Sequence, residues 1–511
     1  MNKRWHTTSL PVQGGPVFFL LCLYLLLANP QPTHATMSDD LTGWIQQHAV
    51  PFSRAEPGGS DADLQPLQQL IGSAQVVGLG EETHGTHEFF AMKARIIEYM
   101  VMHMGFMAFA MENDWGTSKE VDAYINGGSR DIWSILHNDL FITWRTQEVK
   151  DLLEWLRSYN ADPAHARKVH FYGIDVQGIE RPTVDEVLNY LHQVDPAQVE
   201  RVHAIYQEFI ADNQFTGGRR QYANLDEADK QRYKDDAQEV YNLLLSHQAE
   251  YTQHFSAQAF AQALQDARIV VQYAVIEPNR ASPPITAPDF WYAQRDPYMA
   301  ENAHWLQQHG VGRMVLWAHD YHTANDIRQY TLNDADIEGT MGAYLRHWLG
   351  PAYLSVGMTF SSGSFNDGFF THLSANTITA FDPTSLNGVL GSVNTPRYML
   401  DLRQAPTSGP VYAWLTTGQT LRLVGTGEGV GEDRAYRPGE AFDVLINFHN
   451  VHASQMVNTY PPVVTHQPSA ITEERDYWTY IILGVFLFIV LLGGLILLLK
   501  RHRRPDKAKS A

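Results

Sequence analysis

The sequence predicts an α/β fold built around a buried parallel sheet, and three observations predict it. The first is a set of five short, near-continuous apolar runs: residues 76–80 (VVGLG), 106–111 (FMAFAM), 169–174 (VHFYGI), 314–317 (MVLW) and 353–358 (YLSVGM). Runs of this length suit strands covered on both faces. The second is the helical pattern between the runs, since parallel strands need crossover connections. The third is where the runs lead. The first reaches Glu81 and His84, the second stops at Glu112, the third at Asp175, the fourth leads to His319 and His322, and the fifth ends at Thr359. In open α/β sheets ligands bind outside the carboxyl ends of the strands. Four of these ends thus deliver three carboxylates and three imidazoles to one rim, the inventory of an acid–base enzyme.

Taken in order, residues 37–70 read as a helix-and-loop lead-in, punctuated by Pro51, Pro57, Gly58 and Gly59. The α/β pattern starts at about residue 71. After the first run, Phe89, Met92, Ile96 and Met100, with Phe90, Ile97 and Val101, follow helical spacing and mark a buried helix face. Between 184 and 275 the strand signals vanish. Amphipathic helices are expected there at 184–194, 196–212, 226–251 and 257–276, a helical insertion placed by chain order over the sheet rim. The α/β pattern returns at about 295 and runs to about 450, with further strands expected at 411–415 and 442–446. Residues 451–476, with Pro461, Pro462 and Pro468 and no periodicity, read as a stalk linker.

Both ends carry targeting signals. Residues 1–36 hold Lys3 and Arg4, an apolar stretch at 17–27 and small or polar residues around Ala35, the pattern of a secretory signal peptide. Residues 481–499 are uncharged and mostly aliphatic, long enough to span a bilayer. Tyr477, Trp478 and Tyr480 precede them like an interfacial belt, and the basic tail 500–511 follows. A transmembrane helix at 477–499, a cytoplasmic tail and an extracytoplasmic catalytic domain at 37–450 are expected, making a single-pass protein of the cell membrane. The sole cysteine, Cys22, lies in the signal sequence, so the mature chain has neither disulfides nor a thiol nucleophile. A formal net charge of −19, with no basic cluster outside the tail, argues against nucleic acid as a partner. With 511 residues, 44% of them hydrophobic, the chain can bury a large core.

The densest chemistry is in residues 78–93, GLGEETHGTHEFFAMK. Its glycines permit a tight exit from the strand, and His84 falls in the strand-to-helix loop, where a side chain is both exposed and held. No third glycine follows at the spacing of a dinucleotide fingerprint. His84 and His87 stand three apart beside Glu88, and His319 and His322 are likewise three apart; metal-binding H-E-x-x-H needs histidines four apart. With Glu112 these histidines offer donors for Zn²⁺ or Mn²⁺, but nothing fixes a ligand count. No cofactor is expected, with a divalent metal as the alternative.

The ordered set GLGEETHGTHEFFAMK, FAMEND, WRTQEV (144–149), FYGIDVQG (171–178), RDPYMAEN (295–302) and LWAHDYHTAND (316–326) resembles the erythromycin esterase family, bacterial enzymes whose best-known members open the lactone of macrolide antibiotics. The resemblance covers about residues 71–450. It implies a three-layer α/β/α fold with a mixed, largely parallel sheet and added helices. It also implies that His84 is a general base activating water, with Glu81, Glu112, His319 and His322 beside it. A basic residue nine positions after the base, commonly arginine, is Lys93 here; it keeps the charge and loses the planar fork of a carboxylate or oxyanion partner.

The residues support such chemistry independently. There is no G-x-S-x-G elbow and no mature cysteine, so an acyl-enzyme lacks an obvious nucleophile and direct attack by water is the economical scheme. Glu81 or Glu112 then orients His84, and His319 or His322 binds the oxyanion or protonates the leaving alkoxide. Asp175 touches the site or caps the following helix. Arg145 and Arg295 pair with carboxylates around the substrate or form structural ion pairs. Trp115, Trp144, Trp291 and Trp317 line a pocket or fill the core. The expected activity is hydrolysis of a carboxylic ester or macrolide-type lactone, with antibiotic resistance as the biological corollary. Two other readings use the same residues: a metal-dependent hydrolase, and a non-catalytic, membrane-anchored binding ectodomain.

Overall fold

The structure, a computed structural model, describes residues 39–211, 225–277, 291–325, 339–367, 374–424 and 432–457. These belong to one compact unit that ends at Asn458. Its centre is an eight-stranded sheet. The strands are β1 (Val50–Pro51), β2 (Val76–Leu79), β3 (Ala108–Asp114), β4 (His170–Asp175), β5 (Met314–Trp317), β6 (Tyr353–Phe360), β9 (Arg397–Asp401) and β12 (Val444–Phe448). Two small hairpins, β7 (Gly363–Asp367) with β8 (Ser374–Ile378) and β10 (Gln419–Leu423) with β11 (Glu432–Tyr436), supply the remaining numbers. The order across the sheet is β1-β9-β12-β6-β2-β5-β3-β4. All neighbours from β12 to β4 are parallel; β9 runs antiparallel to β12 and to β1. The sheet is therefore mixed and largely parallel.

The apolar runs are continuous because successive side chains serve opposite faces. Val77, Leu79, Val315 and Trp317 join one buried cluster with the helices His87–Met104 and Gln147–Ala161. Val76, Met314 and Leu316 join another with the helices Arg181–Val194, Ala257–Ile276 and Trp291–Gln308. Strand order and crossover handedness explain this division. From β2 through β3 to β4 the chain advances toward one edge, and the connecting helices lie on one face. From β4 to β5 and on to β6 it travels back, so right-handed crossovers place the intervening helices on the other face. The helical insertion is part of that second layer. It packs on the face of the sheet, where the expectation had it over the rim.

Several boundaries follow from local chemistry. Ser256 accepts a hydrogen bond from Ala259 N and starts its helix at the expected residue. The expected 226–251 helix breaks at His247 into Glu227–Ser246 and Gln248–His254. Residues 411–415 are not a strand: they lie in the helix Gly409–Leu415, with Pro410 in its first turn and Val411 and Leu415, four apart, buried together. The antiparallel β9 was not expected, and neither was the packing of residues 451–457, which were assigned to a stalk. The signal peptide, the membrane span 477–499 and the tail 500–511 lie outside the described residues. Among the described residues no helix is long and apolar enough to cross a membrane.

Phe109 tests the sheet core. It is buried, meets Phe171 edge-on at 5.1 Å between ring centroids and packs on Trp317. Phe109→Ala should destabilise the fold by about 3–5 kcal/mol, measured by chemical denaturation.

Candidate active site

The registers bring the strand ends to one level. Leu79 pairs with Trp317, and Met111 pairs with Trp317 from the other side. Glu81, Glu112 and His319 follow within two residues of that line. Between Met111 and Asp114 the β3–β4 register slips, a bulge that re-aims the end of β3 where Glu112 sits. Gly80 is required here by close approach, because a Cβ would lie 2.0 Å from Asp320 Oδ1.

Glu112 is the hub of the rim. Its Oε1 accepts from Arg295 Nη2 at 2.8 Å and forms an ion pair with His322 Nε2 at 3.3 Å, a nitrogen that also lies 3.1 Å from Arg295 Nη1, and its Oε2 accepts from the His319 backbone N–H at 3.0 Å. Arg295 also forks onto Asp175, with Nε to Oδ1 at 2.8 Å and Nη2 to Oδ2 at 2.5 Å. His322 Nδ1 stands 2.8 Å from Asp296 Oδ1. Three carboxylates thus enclose two cations. Burial alone would raise Glu112 and lower His322. The facing charges win in both cases: His322 and Arg295 hold Glu112 well below the usual carboxylate range, while Asp296 and Glu112 lift His322 to about 9.

His84 lies beside this network in a different state. Its Nδ1 is 3.0 Å from Glu81 Oε1, and its ring meets Trp144 at 5.0 Å and His319 at 4.8 Å between centroids. Burial pushes its pKa down to about 4, against the pull of Glu112 and with the repulsion of His322 and Arg295. The side chain is 10% exposed, and among the described residues Nε2 has no hydrogen-bond partner. At neutral pH this is a neutral imidazole with its proton on Nδ1 and a lone pair on Nε2. Glu81, in turn, forms a fully buried ion pair with Lys93, which also donates to the Ala318 carbonyl and lies over Trp317.

Glu81, His84, Glu112, His319, His322, Asp175 and Arg295 therefore converge as expected. Several expected roles do not survive the geometry. His319 accepts the Tyr321 N–H on Nδ1, so its proton sits on Nε2 and points to the Glu82 carbonyl at 3.1 Å. Burial holds it far below the usual histidine range, and both of its nitrogens are engaged by backbone groups. Lys93, Asp175 and Arg295, candidates for the substrate side, are all buried and spent on Glu81, on Glu112 or on one another; for Arg295 this is the structural ion-pair alternative. Arg145 turns its side chain to the Leu140 carbonyl and pairs with no carboxylate among the described residues. Trp144 donates to the Glu112 carbonyl and forms a wall against His84.

Sequence reasoning overlooked Asp296, although it lies in the RDPYMAEN motif beside Arg295. It also overlooked Glu82 and Asp320, fully buried carboxyls whose pKa values burial raises, Asp320 to about 8. No three His, Cys, Asp or Glu residues among those described are grouped to hold a metal ion. The nitrogens of His319 and His322 and the Nδ1 of His84 are engaged in protein contacts, which leaves Nε2 of His84 as the open ring nitrogen of the three.

Fold and rim together are those of a doubly wound α/β protein that carries an oriented neutral imidazole beside a buried imidazolium. The chain belongs to the erythromycin esterase family, whose profile matches residues 101–451. It is similar to YbfO of Bacillus subtilis (strain 168), provisionally named a hydrolase, with 22% identity over 74% of this chain and 84% of that protein. It is 28% identical to the Escherichia coli erythromycin esterase type II over 32% of this chain and 39% of that enzyme. A crystal structure of a Bacillus cereus protein superposes with a TM-score of 0.73 and 29% identity, over 82% of this chain and 98% of the other. A solved succinoglycan biosynthesis protein gives 0.70 and 28%, over 82% and 99%. The erythromycin esterase EreC, as a mutant in its open conformation, shares the fold with a TM-score of 0.64 and 16% identity, over 80% and 99%. The loop carrying Glu81 and His84 precedes the profile match; Glu112, Asp175, Arg295, His319 and His322 lie within it.

The charge states predict a two-sided stability profile. His322, raised above 6.5, contributes stability that is fully present below pH 6.5 and lost as pH climbs through about 9. His84, depressed below 6.5, contributes stability that is present above pH 6.5 and lost as pH falls through about 4. Denaturation midpoints across pH should fall on both sides, and His322→Asn should flatten the alkaline limb only.

Proposed function

We propose that this family hydrolase cleaves a carboxylic ester or lactone by direct attack of water, with His84 as general base. The supporting observation is the division of labour on one ring: Nδ1 held by Glu81, Nε2 without a protein partner, and the pKa held near 4 by burial. Such a base is unprotonated at neutral pH and needs no activation step. Glu81 orients the ring directly, while Glu112 acts through its field and favours the imidazolium formed after proton uptake. Of His319 and His322, it is His322 that is already protonated at neutral pH; with both nitrogens held by neighbours, it serves the developing oxyanion through its charge.

Two substrate classes have support from relatives. The resemblance to erythromycin esterase type II favours a macrolide lactone, and the solved succinoglycan biosynthesis protein favours an ester on a polysaccharide. For either substrate the proposed attack is the same: water adds to the carbonyl carbon while His84 Nε2 takes its proton.

The test is hydrolysis by the full chain of a macrolide panel and simple aryl esters, followed by mass spectrometry, with His84→Ala alongside. Addition of one water to the substrate is expected, reduced in the variant by about 10²–10⁴ in kcat. The acid limb of kcat/KM should lie near pH 4, where the base takes up a proton. Full turnover by His84→Ala would reject the mechanism. A preparation treated with chelator and shown to be metal-free should keep its turnover; loss restored by Zn²⁺ or Mn²⁺ would favour the metal-dependent reading instead.

A further inference from the structure

The backbone around His84 is held from outside the sheet by a part of the chain remote in sequence. Residues 451–457 cross the loop as a strap. Thr86 bridges to Ala453, Thr146 to Met456 and Gly363 to Val451. His87 N donates to the His452 carbonyl at 2.8 Å, Gln147 N to the Gln455 carbonyl at 2.8 Å, and Val457 N to the Arg145 carbonyl at 2.8 Å. Charged groups reinforce the crossing: Glu88 accepts the His452 N–H at 2.7 Å, and Glu148 accepts the Gln455 N–H at 3.1 Å.

The tightest point is Gly85, the residue after His84. Its carbonyl accepts two backbone N–H groups, from Ser454 at 2.8 Å and from Asn366 at 2.9 Å. The Asn366 side chain then locks these donors together, with Nδ2 to the Ser454 carbonyl at 2.6 Å and to Ser454 Oγ at 3.0 Å. A Cβ on Gly85 would lie 2.0 Å from the Asn366 carbonyl oxygen, so the two backbones are in direct contact. On its other flank His84 is tied by its own N–H to the Val424 carbonyl at 3.3 Å. Tying the His84 N–H on one side and the Gly85 carbonyl on the other fixes the backbone from which the His84 side chain projects.

We infer that the strap 451–457 is a working part of the active site, with Ser454 and Asn366 as positioning residues for His84. This rests on the general-base reading above and adds to it a segment almost wholly beyond the family match, which ends at 451. The physical reason is the tolerance of proton transfer: a displacement of about 1 Å at a reacting group costs on the order of 10²-fold in rate. A loop leaving a strand through Gly78, Gly80 and Gly85 does not hold a ring that closely by itself.

The experiment uses the full chain in detergent with three variants. Ser454→Pro deletes the N–H that Gly85 accepts. Asn366→Ala deletes the amide that locks the strap. Ser454→Ala keeps the N–H and loses only the hydroxyl. The readouts are kcat and KM on 4-nitrophenyl acetate, the melting temperature, and the titration of His84 by NMR in histidine-labelled protein. Around that ring stand Glu81, Glu112, His319, His322 and Arg295, none of them altered. Ser454→Pro and Asn366→Ala should lower kcat by about ten-fold or more with KM within about two-fold. Because burial holds His84 near 4, loosening the loop should also move its titration and the acid limb up toward 6.5. Ser454→Ala, which keeps the N–H and the Asn366 bond to the Ser454 carbonyl, should lower kcat less than either of the other variants. A folded Ser454→Pro with parental kcat and an unmoved His84 titration would overturn the inference. If Ser454→Pro does not fold, Asn366→Ala decides by the same criteria. If the parent hydrolyses nothing, the general-base reading fails on its own account; the His84 titration then still decides whether the strap holds the ring.

Discussion

The rim of this protein depends on the buried charge of Glu112. A carboxylate at the end of β3, away from water, is tolerated only when positive groups and N–H donors surround it. Meeting that demand draws Arg295 from the helix Trp291–Gln308, and His322 and the His319 backbone from the segment after β5. Arg295 carries the demand onward to Asp175 on β4, and His322 carries it to Asp296. The geometry of the site and the packing of the second helical layer are thus linked through one carboxylate. This linkage also accounts for the burial of residues that chemistry alone would have assigned to a ligand.

Within this network three histidines of the same intrinsic basicity hold three different states. His322 is cationic because two carboxylates outweigh its burial. His319 is neutral because a backbone N–H occupies one nitrogen and a carbonyl takes the proton of the other. His84 is neutral because it is buried with its stronger neighbours balanced against one another, and only its Nε2 lacks a protein partner among the described residues. Separating titratable groups in this way is how a single site holds a base and an acid at one pH.

The architecture places this chemistry economically. Reversal of the chain's direction between β4 and β5 sends the early helices to one face and the insertion to the other. Both faces of the sheet are then sealed, and its carboxyl rim remains the place where polar side chains gather. The hairpins and the strap after β12 close around the exit loop of β2, which makes the base loop the meeting point of residues far apart in the chain.

Much of the fold was legible in the sequence because burial on both faces leaves an unmistakable trace: β2, β3, β4, β5 and β6 are apolar runs whose polar ends mark the rim. The helices of the insertion were legible through their periodicity and caps such as Ser256. Short or half-exposed elements left no such trace. The five residues of β9 follow Pro396 and are defined by pairing with β12, and the alternation of 411–415 fits a strand as well as a helix until Val411 and Leu415 find one pocket of core. Residue types at the site were likewise readable, including the convergence of His84, Glu112 and His322. Their roles were not, because a proton's place is set by neighbours across space: Asp296 lies 26 residues from His322, and the Glu82 carbonyl 237 residues from His319. Sequence by itself determined which groups arrive at the rim, since strand ends are local. Only the tertiary structure decided which are charged, which are spent holding others and which keeps a ring nitrogen without a protein partner, since desolvation and Coulomb energy depend on distances that chain order does not record.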